Sequence, residues 1–323
     1  DGANAAGGAV ATVARGLNTP DRVAGDTRGR VDAAIAALNF HPSAAARAIN
    51  TGRSKIIGAL IPSLENDVFA VTIDAIENRL GDFGLSVVVA TRVACPEAEV
   101  ARARELVNIG VEGFFLTGLS RSDALYALLD RTGIPAVVIS QFQPAFRYPT
   151  IGYDNQAAAA LALDHLVDSG HRRIAVLHGP SDTNDRTEMR IKGAVAPRPG
   201  VAFTVFETAL SAAGGAETAR AVLASGASFD AFLCLSDALA FGVLFELQRA
   251  GKSVPEDVSV MGIHDLPNAA FTSPRLSTVR LPAQDMGHAA AEALARWVET
   301  GQNPQARCLE SVLVLRESTR ALT

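Results

Sequence analysis

Short apolar runs rich in β-branched residues recur along this chain and constrain its fold: "IIGALIP" (56–62), "SVVVAT" (86–91), "GFFLTG" (113–118), "AVVIS" (136–140), "RIAVLHG" (173–179), "AFLCLS" (231–236) and "VSVMGI" (258–263). Between them lie stretches of helical period, among them "VFAVTIDAIENRLGDFG", "EAEVARARELVNIG", "QAAAALALDHLVDSG", "TARAVLASG", "LAFGVLFELQRAG" and "QDMGHAAAEALARWVETG". Several of these end in Gly, which closes a helix at φ > 0. A strand that is apolar throughout is covered on both faces, so the alternation predicts βαβ units with parallel sheets. The units outnumber one compact sheet, and two doubly wound subdomains accommodate them. A length of 323 residues suits two or three domains.

Ligands of such sheets bind beyond the carboxyl ends of the strands. That rule places "PSLENDVF" (62–69), "SQFQP" (140–144), "GPSDTNDRTEMR" (179–190), "SDALA" (236–240) and "GIHDLPNAAF" (262–271) on one polar rim lining a cleft between the subdomains. The chemistry of an enzyme is missing. No strand leads into G-x-G-x-x-G, neither a P-loop nor G-x-S-x-G occurs, and His165, His171, His178 and His288 pair with no Cys or Ser at a diagnostic spacing. Cys95, Cys234 and Cys308 are far apart and odd in number, which suits packing better than disulfides or a metal site. Neither a run of about 18 apolar residues nor a signal-peptide pattern is visible, so a cytoplasmic protein without a membrane partner is expected.

The first 55 residues differ from the rest. They hold seven Arg and Lys against four Asp, a net of +3 on a chain whose total is −5. A basic leader on an acidic body fits a nucleic-acid-binding module attached to another domain. In "AVATVARGLN" (9–18), Val10, Val13 and Leu17 form one helical face, with Thr12 and Arg15 on another side. In "DTRGRVDAAIAALNF" (26–40), Asp26 suits an N-cap and Val31, Ile35 and Leu38 share a face. Next comes "PSAAARAIN" (42–50), with Pro42 suited to a first helical turn. It falls below the roughly 12–15 residues of a marginal isolated helix, so a partner must stabilise it.

These segments carry a resemblance. "DGANAAGGAVATVARGLN" resembles the helix-turn-helix of the lactose/galactose repressor family, and "TPDRVAGDTRGRVDAAIAALNFHPSAAARAINTGRSKIIGALIPSLENDVFA" continues it. "GHRRIAVLHGP", "SVPEDVSVMGIHDLP" and "SPRLSTVRLP" match later signatures in order. The resemblance implies an α/β protein with a helix-turn-helix headpiece at 1–40, its start truncated, and a hinge helix and linker at 41–55. It further implies two doubly wound parallel-sheet subdomains resembling periplasmic binding proteins, at 56–153 plus 283–311 and at 154–282 plus 312–323. The implied function is a ligand-responsive transcriptional regulator, a homodimer on palindromic operator DNA, with no cofactor. An orphan sensor with weakened DNA binding and a periplasmic-type sugar-binding protein are the alternatives.

The family pattern carries DNA contacts onto Val10, Ala11, Thr12, Arg15, Asn18 and Arg22 in the headpiece. In the hinge helix it carries them onto Ala45, Ala46 and Ile49, the last as an apolar wedge in the minor groove. Gly2, Gly8 and Gly16 depart from usually apolar positions, each at about 1 kcal/mol inside a helix, which implies a marginal headpiece. In the cleft, Arg190 is the arginine of the family's "R-x-x-G" step, and "GIHD" replaces "G-[YF]-D-D", so His264 stands where an aspartate is usual and Asp265 remains. Because an imidazole donates hydrogen bonds and can become positive near neutral pH, Arg190 with His264 points to an anionic ligand such as a sugar acid; a neutral sugar or another metabolite stays open. Asn66, Asp67, Phe69, Ser140, Tyr153, Asp185, Arg186 and Asp237 complete the expected ligand set. Pro197 and Pro199 forbid a regular helix in "AVAPRPG", where the family has a full helix and loop.

Overall fold

A computed structural model describes residues 51–65, 67–91 and 96–322, with isolated positions upstream. The expected headpiece and hinge helix, with Val10, Ala11, Thr12, Arg15, Asn18, Arg22, Ala45, Ala46 and Ile49, lie outside the described residues, as does Asn66.

Two six-stranded sheets organise the body. The first contains β1 (Ile56–Ile61), β2 (Ser86–Thr91), β3 (Gly113–Thr117), β4 (Ala136–Ile139), β5 (Thr150–Gly152) and β11 (Arg307–Cys308), in the order β11-β5-β4-β3-β1-β2. The second contains β6 (Arg173–His178), β7 (Ala202–Glu207), β8 (Ala231–Cys234), β9 (Ser259–His264), β10 (Ser277–Arg280) and β12 (Val312–Val314), in the order β12-β10-β9-β8-β6-β7. Every pairing is parallel except β10 with β12. In both sheets the order reverses beside the first strand, between β1 and β3 and between β6 and β8, where doubly wound folds bind ligands. The chain crosses between the sheets three times, after β5, β10 and β11.

Helices cover both faces of each sheet, as the uniformly apolar strands require. On one side of the first sheet Ile57, Ala59 and Phe115 pack with Ile76 and Leu80 of α1 (Asp67–Gly81) and with Met286, Ala290 and Leu294 of α8 (Ala283–Thr300). On the other, Leu60, Phe114 and Leu116 meet α2 (Pro96–Asn108) and α3 (Asp123–Thr132). In the second sheet Ile174, Val176 and Leu233 pack on α4 (Asn155–Asp168), while Ala175, Leu177 and Phe232 pack on α6 (Ala212–Ala224) and α7 (Asp237–Arg249). Each large apolar side chain so buried contributes about 1.5–3 kcal/mol. Cys234 belongs to this core, whereas Cys308 is exposed, unlike the packing role expected of it.

The polar stretch 179–190, read as rim loop, is partly helix: α5 (Asp185–Ala194) starts there with Asn184 as its N-cap, accepting a hydrogen bond from the Thr187 N–H. The helix ends three residues before Pro197. The connection to β7 is pinned by Arg198, which donates to Asp164 of α4 at 2.7 and 2.9 Å. Inside α5, Gly193 lets two backbones touch, since a Cβ there would lie 2.1 Å from the Gln156 carbonyl oxygen of α4. Arg190 stands one turn before Gly193, so this close approach seats it against the start of α4. Gly193→Ala should therefore push α5 away and cost roughly 1–3 kcal/mol, read as a lower urea midpoint, with ligand affinity falling alongside.

Candidate functional site

A cavity of about 560 Å³ opens between the two subdomains at the carboxyl ends of their strands. Pro62, Ser63 and Glu65 after β1, Phe69 of α1 and Ser140 after β4 form one wall. Tyr153 lies at the first crossing. Gly179, Pro180 and Asn184 after β6, Arg186, Thr187 and Arg190 of α5, Leu210 and Ser211 after β7, Leu235 after β8, and His264 complete the other wall. Phe69 and Tyr153 supply apolar faces, while Ser63, Asn184, Thr187 and Ser211 supply neutral hydrogen-bonding groups.

Arg190 dominates the floor and is only 7% exposed. Its Nε donates to Asn155 Oδ1 at 2.8 Å, and its Nη1 donates to the Leu235 carbonyl at 3.1 Å and to His264 Nε2 at 2.9 Å. Burial draws its pKa below the ordinary value, with the Tyr153 hydroxyl and then Asp237 opposing that pull. It stays charged, as arginine does in proteins. Among the described residues, none of its hydrogen-bond partners is a carboxylate.

His264 behaves otherwise than its exposed chemistry suggests. An Nε2 that accepts from a guanidinium carries no proton, so the proton sits on Nδ1, a buried atom without a hydrogen-bond partner among the described residues. Burial, then the Arg190 charge, push its pKa well below 6.5. The imidazole is therefore neutral at physiological pH, which corrects the expectation that it becomes positive near neutrality and leaves Arg190 as the charge of the floor.

Asp237 and Asp265 stand behind this floor. Asp237, fully buried, accepts from the Thr278 hydroxyl at 2.7 Å and from the Leu266 N–H at 2.8 Å. Asp265 pairs with Arg280 at 2.7 Å and Arg316 at 2.6 Å and borders a neighbouring pocket of about 370 Å³. Together they hold the turn in which His264 and Asp265 take φ of 129° and 58°, a conformation L-residues avoid. Both carboxylates thus position His264 from outside the cavity. Asp67 is exposed at the start of α1 and does not line the cavity either.

Asp185 and Arg186 link the subdomains. Asp185 Oδ2 accepts from the Leu119 N–H at 2.9 Å, and Arg186 donates to the Thr117 carbonyl at 3.2 Å and pairs with Asp185 at 3.1 Å. Thus Phe69, Ser140, Tyr153, Arg186, Arg190 and His264 come together on the wall, and Asp67, Asp185, Asp237 and Asp265 do not. Glu65, Asn184 and Thr187 fall within the rim segments expected from the sequence without being singled out, and Asn155 and Ser211 lie outside them. The strand-end rule would have found Ser211 had "VAFTVFE" been read as a strand; a buried Asn gives no signal. Among the described residues no cluster of His, Cys, Asp and Glu could hold a metal, and no helix is long and apolar enough to cross a membrane.

Residues 1–43 match the family described as bacterial regulatory proteins, lacI family, and residues 163–319 match the periplasmic binding protein-like domain. The HTH-type transcriptional regulator GntR of Escherichia coli K12 is 31% identical over 88% of this chain and 86% of its own length. The structure of the Lac repressor dimer bound to operator and the anti-inducer ONPF superposes with a TM-score of 0.90 at 26% identity, covering 99% of this chain and 98% of that one. A LacI family transcriptional regulator from Enterococcus faecium with bound ribose gives 0.74 at 25% identity, covering 83% and 100%.

Burial holds the Asp237 carboxyl up at about 6, against an unfolded value near 3.9. Between pH 6 and 4 the folded state binds the extra proton, so this group adds stability as pH falls and withdraws it as pH rises through 6. Asp237→Asn, whose amide accepts from Leu266 and donates to the Thr278 hydroxyl, lacks that component. Urea denaturation at pH 7, 6 and 5 should show the stability difference between wild type and variant moving in favour of wild type on acidification.

Proposed function

This chain belongs to the lacI family of bacterial regulatory proteins, and from that premise we propose that its effector is a sugar acid held by its carboxylate on Arg190. Its relatives are DNA-binding transcriptional regulators and not enzymes, and this chain is a sugar-sensing regulator of the same kind. The observation that carries the effector reading is a buried guanidinium on the cavity floor whose bonded neighbours are all neutral or carbonyl groups. Such a charge is costly unless something pairs with it, and a carboxylate meets its fork with two parallel hydrogen bonds. Arg186, the other cation on the wall, already has Asp185. The sugar ring would lie against Phe69 and Tyr153, with its hydroxyls toward Ser63, Asn184, Thr187 and the exposed Glu65 at the mouth.

The regulator works as a homodimer in the cytoplasm on a palindromic operator, a reading supported by the Lac repressor dimer on operator DNA. Residues 1–40 supply the headpiece contacts, Thr12 and Arg15 among them, and 41–55 supply the hinge helix with Ile49 as its wedge; the quoted motifs support these assignments. The sensor divides into 56–153 with 283–311 and 154–282 with 312–323, which the membership of the two sheets supports.

A thermal-shift screen of aldonates and uronates (ribonate, gluconate, galactonate, glucuronate, galacturonate) beside ribose, glucose and galactose tests the effector. A ligand at 100 times its Kd stabilises by about 2.7 kcal/mol, so the melting temperature should rise by several degrees with one or more acids and stay unmoved with the parent sugars. Shifts confined to neutral sugars would sink the sugar-acid reading. On palindromic DNA, affinity should fall steeply as salt rises, because phosphate contacts release counterions. Titrations at 50 and 200 mM salt check this, and a flat response would support the orphan sensor instead.

A further inference from the structure

We propose that Asn155, a residue outside the cavity wall, is the positioning residue that decides whether the effector must carry a negative charge. Asn155 is completely buried at the start of α4. Its Nδ2 donates to the Ser140 carbonyl at 2.9 Å and to Gln141 Oε1 at 2.6 Å, both on the loop after β4. Two acceptors on that side fix the amide's orientation, so its oxygen must face Arg190, whose Nε it receives at 2.8 Å. The amide thereby satisfies the guanidinium's hydrogen bond without cancelling its charge.

A carboxylate has nearly the same shape and would do both. With an amide at 155, a neutral imidazole at 264, a carbonyl at 235 and a phenol hydroxyl at 153, the groups bonded to Arg190 leave the positive charge intact. Asp237, the carboxylate that acts on Arg190 from a distance, is committed to Thr278 and Leu266. The charge is thus left for the ligand. Because Asn155 does not line the cavity, changing it alters the electrostatics of the floor while the contact surface stays the same.

The inference rests on the sugar-acid reading, and the experiment separates the two. Calorimetry on the full chain measures Kd for the acid giving the largest thermal shift in wild type and for its parent sugar, and their ratio is the readout. Asn155→Asp should cut the preference for the acid by about tenfold to a hundredfold, the worth of one charge-assisted hydrogen bond, with the parent sugar holding or improving its affinity. Asn155→Ala should weaken both ligands with little change in their ratio. If Asn155→Asp does not fold, the alanine variant is titrated in formate or formamide, which refill the vacated space with a carboxylate or an amide. Formate should then lower the ratio more than it does in wild type, and formamide should not. An unchanged ratio in Asn155→Asp, or equal effects of formate and formamide, overturns the role of Asn155 and leaves the sugar-acid reading intact. If wild type binds no acid at all, that reading itself fails.

Discussion

A guanidinium taken out of water with no carboxylate bonded to it is the constraint around which this sensor is arranged. Removing one partner from a buried charge is worth several kcal/mol, so Arg190 depends on the acceptors that separate elements bring to it, beside the Tyr153 hydroxyl. Asn155 comes from the start of α4, the Leu235 carbonyl from the end of β8, and the His264 ring from the end of β9. None of these is near another in sequence, and the parallel sheet makes them converge. The fold delivers strand ends to a common rim, and the rim delivers acceptors to one side chain.

That arrangement explains why the residues behind the cavity matter as much as those on its wall. His264 can accept from Arg190 only while its turn keeps an unfavourable backbone conformation, and Asp237 and Asp265 hold that turn through Leu266, Thr278, Arg280 and Arg316. Carboxylates at strand ends look like sugar ligands in a sequence. Here they are braces, and the distinction depends on which neighbours reach them first.

Much of the fold was legible because burial on both faces leaves a plain mark: β1, β3, β4, β8 and β9 are continuous apolar runs. Less legible were β5, β11 and β12, which are very short, β10, whose "STVR" is largely polar, and β7, an edge strand with one side largely exposed. The helix α5 escaped notice because "DRTEMRIKGA" is mostly polar and turns its arginines inward. At the site, position on the rim was readable for Phe69, Ser140, Tyr153, Arg186, Arg190 and His264. The charge of His264 was not, since protonation is decided by burial and by a neighbour 74 residues away in the chain. Asn155 was invisible for a related reason: a buried amide announces nothing until its partners are known.

The bonds from Asp185 to the Leu119 N–H and from Arg186 to the Thr117 carbonyl join the subdomains through noncovalent contacts, while three chain crossings join them covalently. Asp185 and Arg186 at the head of α5 thus share the seam with the Asn155 amide, which reaches Ser140 and Gln141, and with Leu266 packed against Val68 and Phe69, so the same few residues that shape the chamber also hold its halves together.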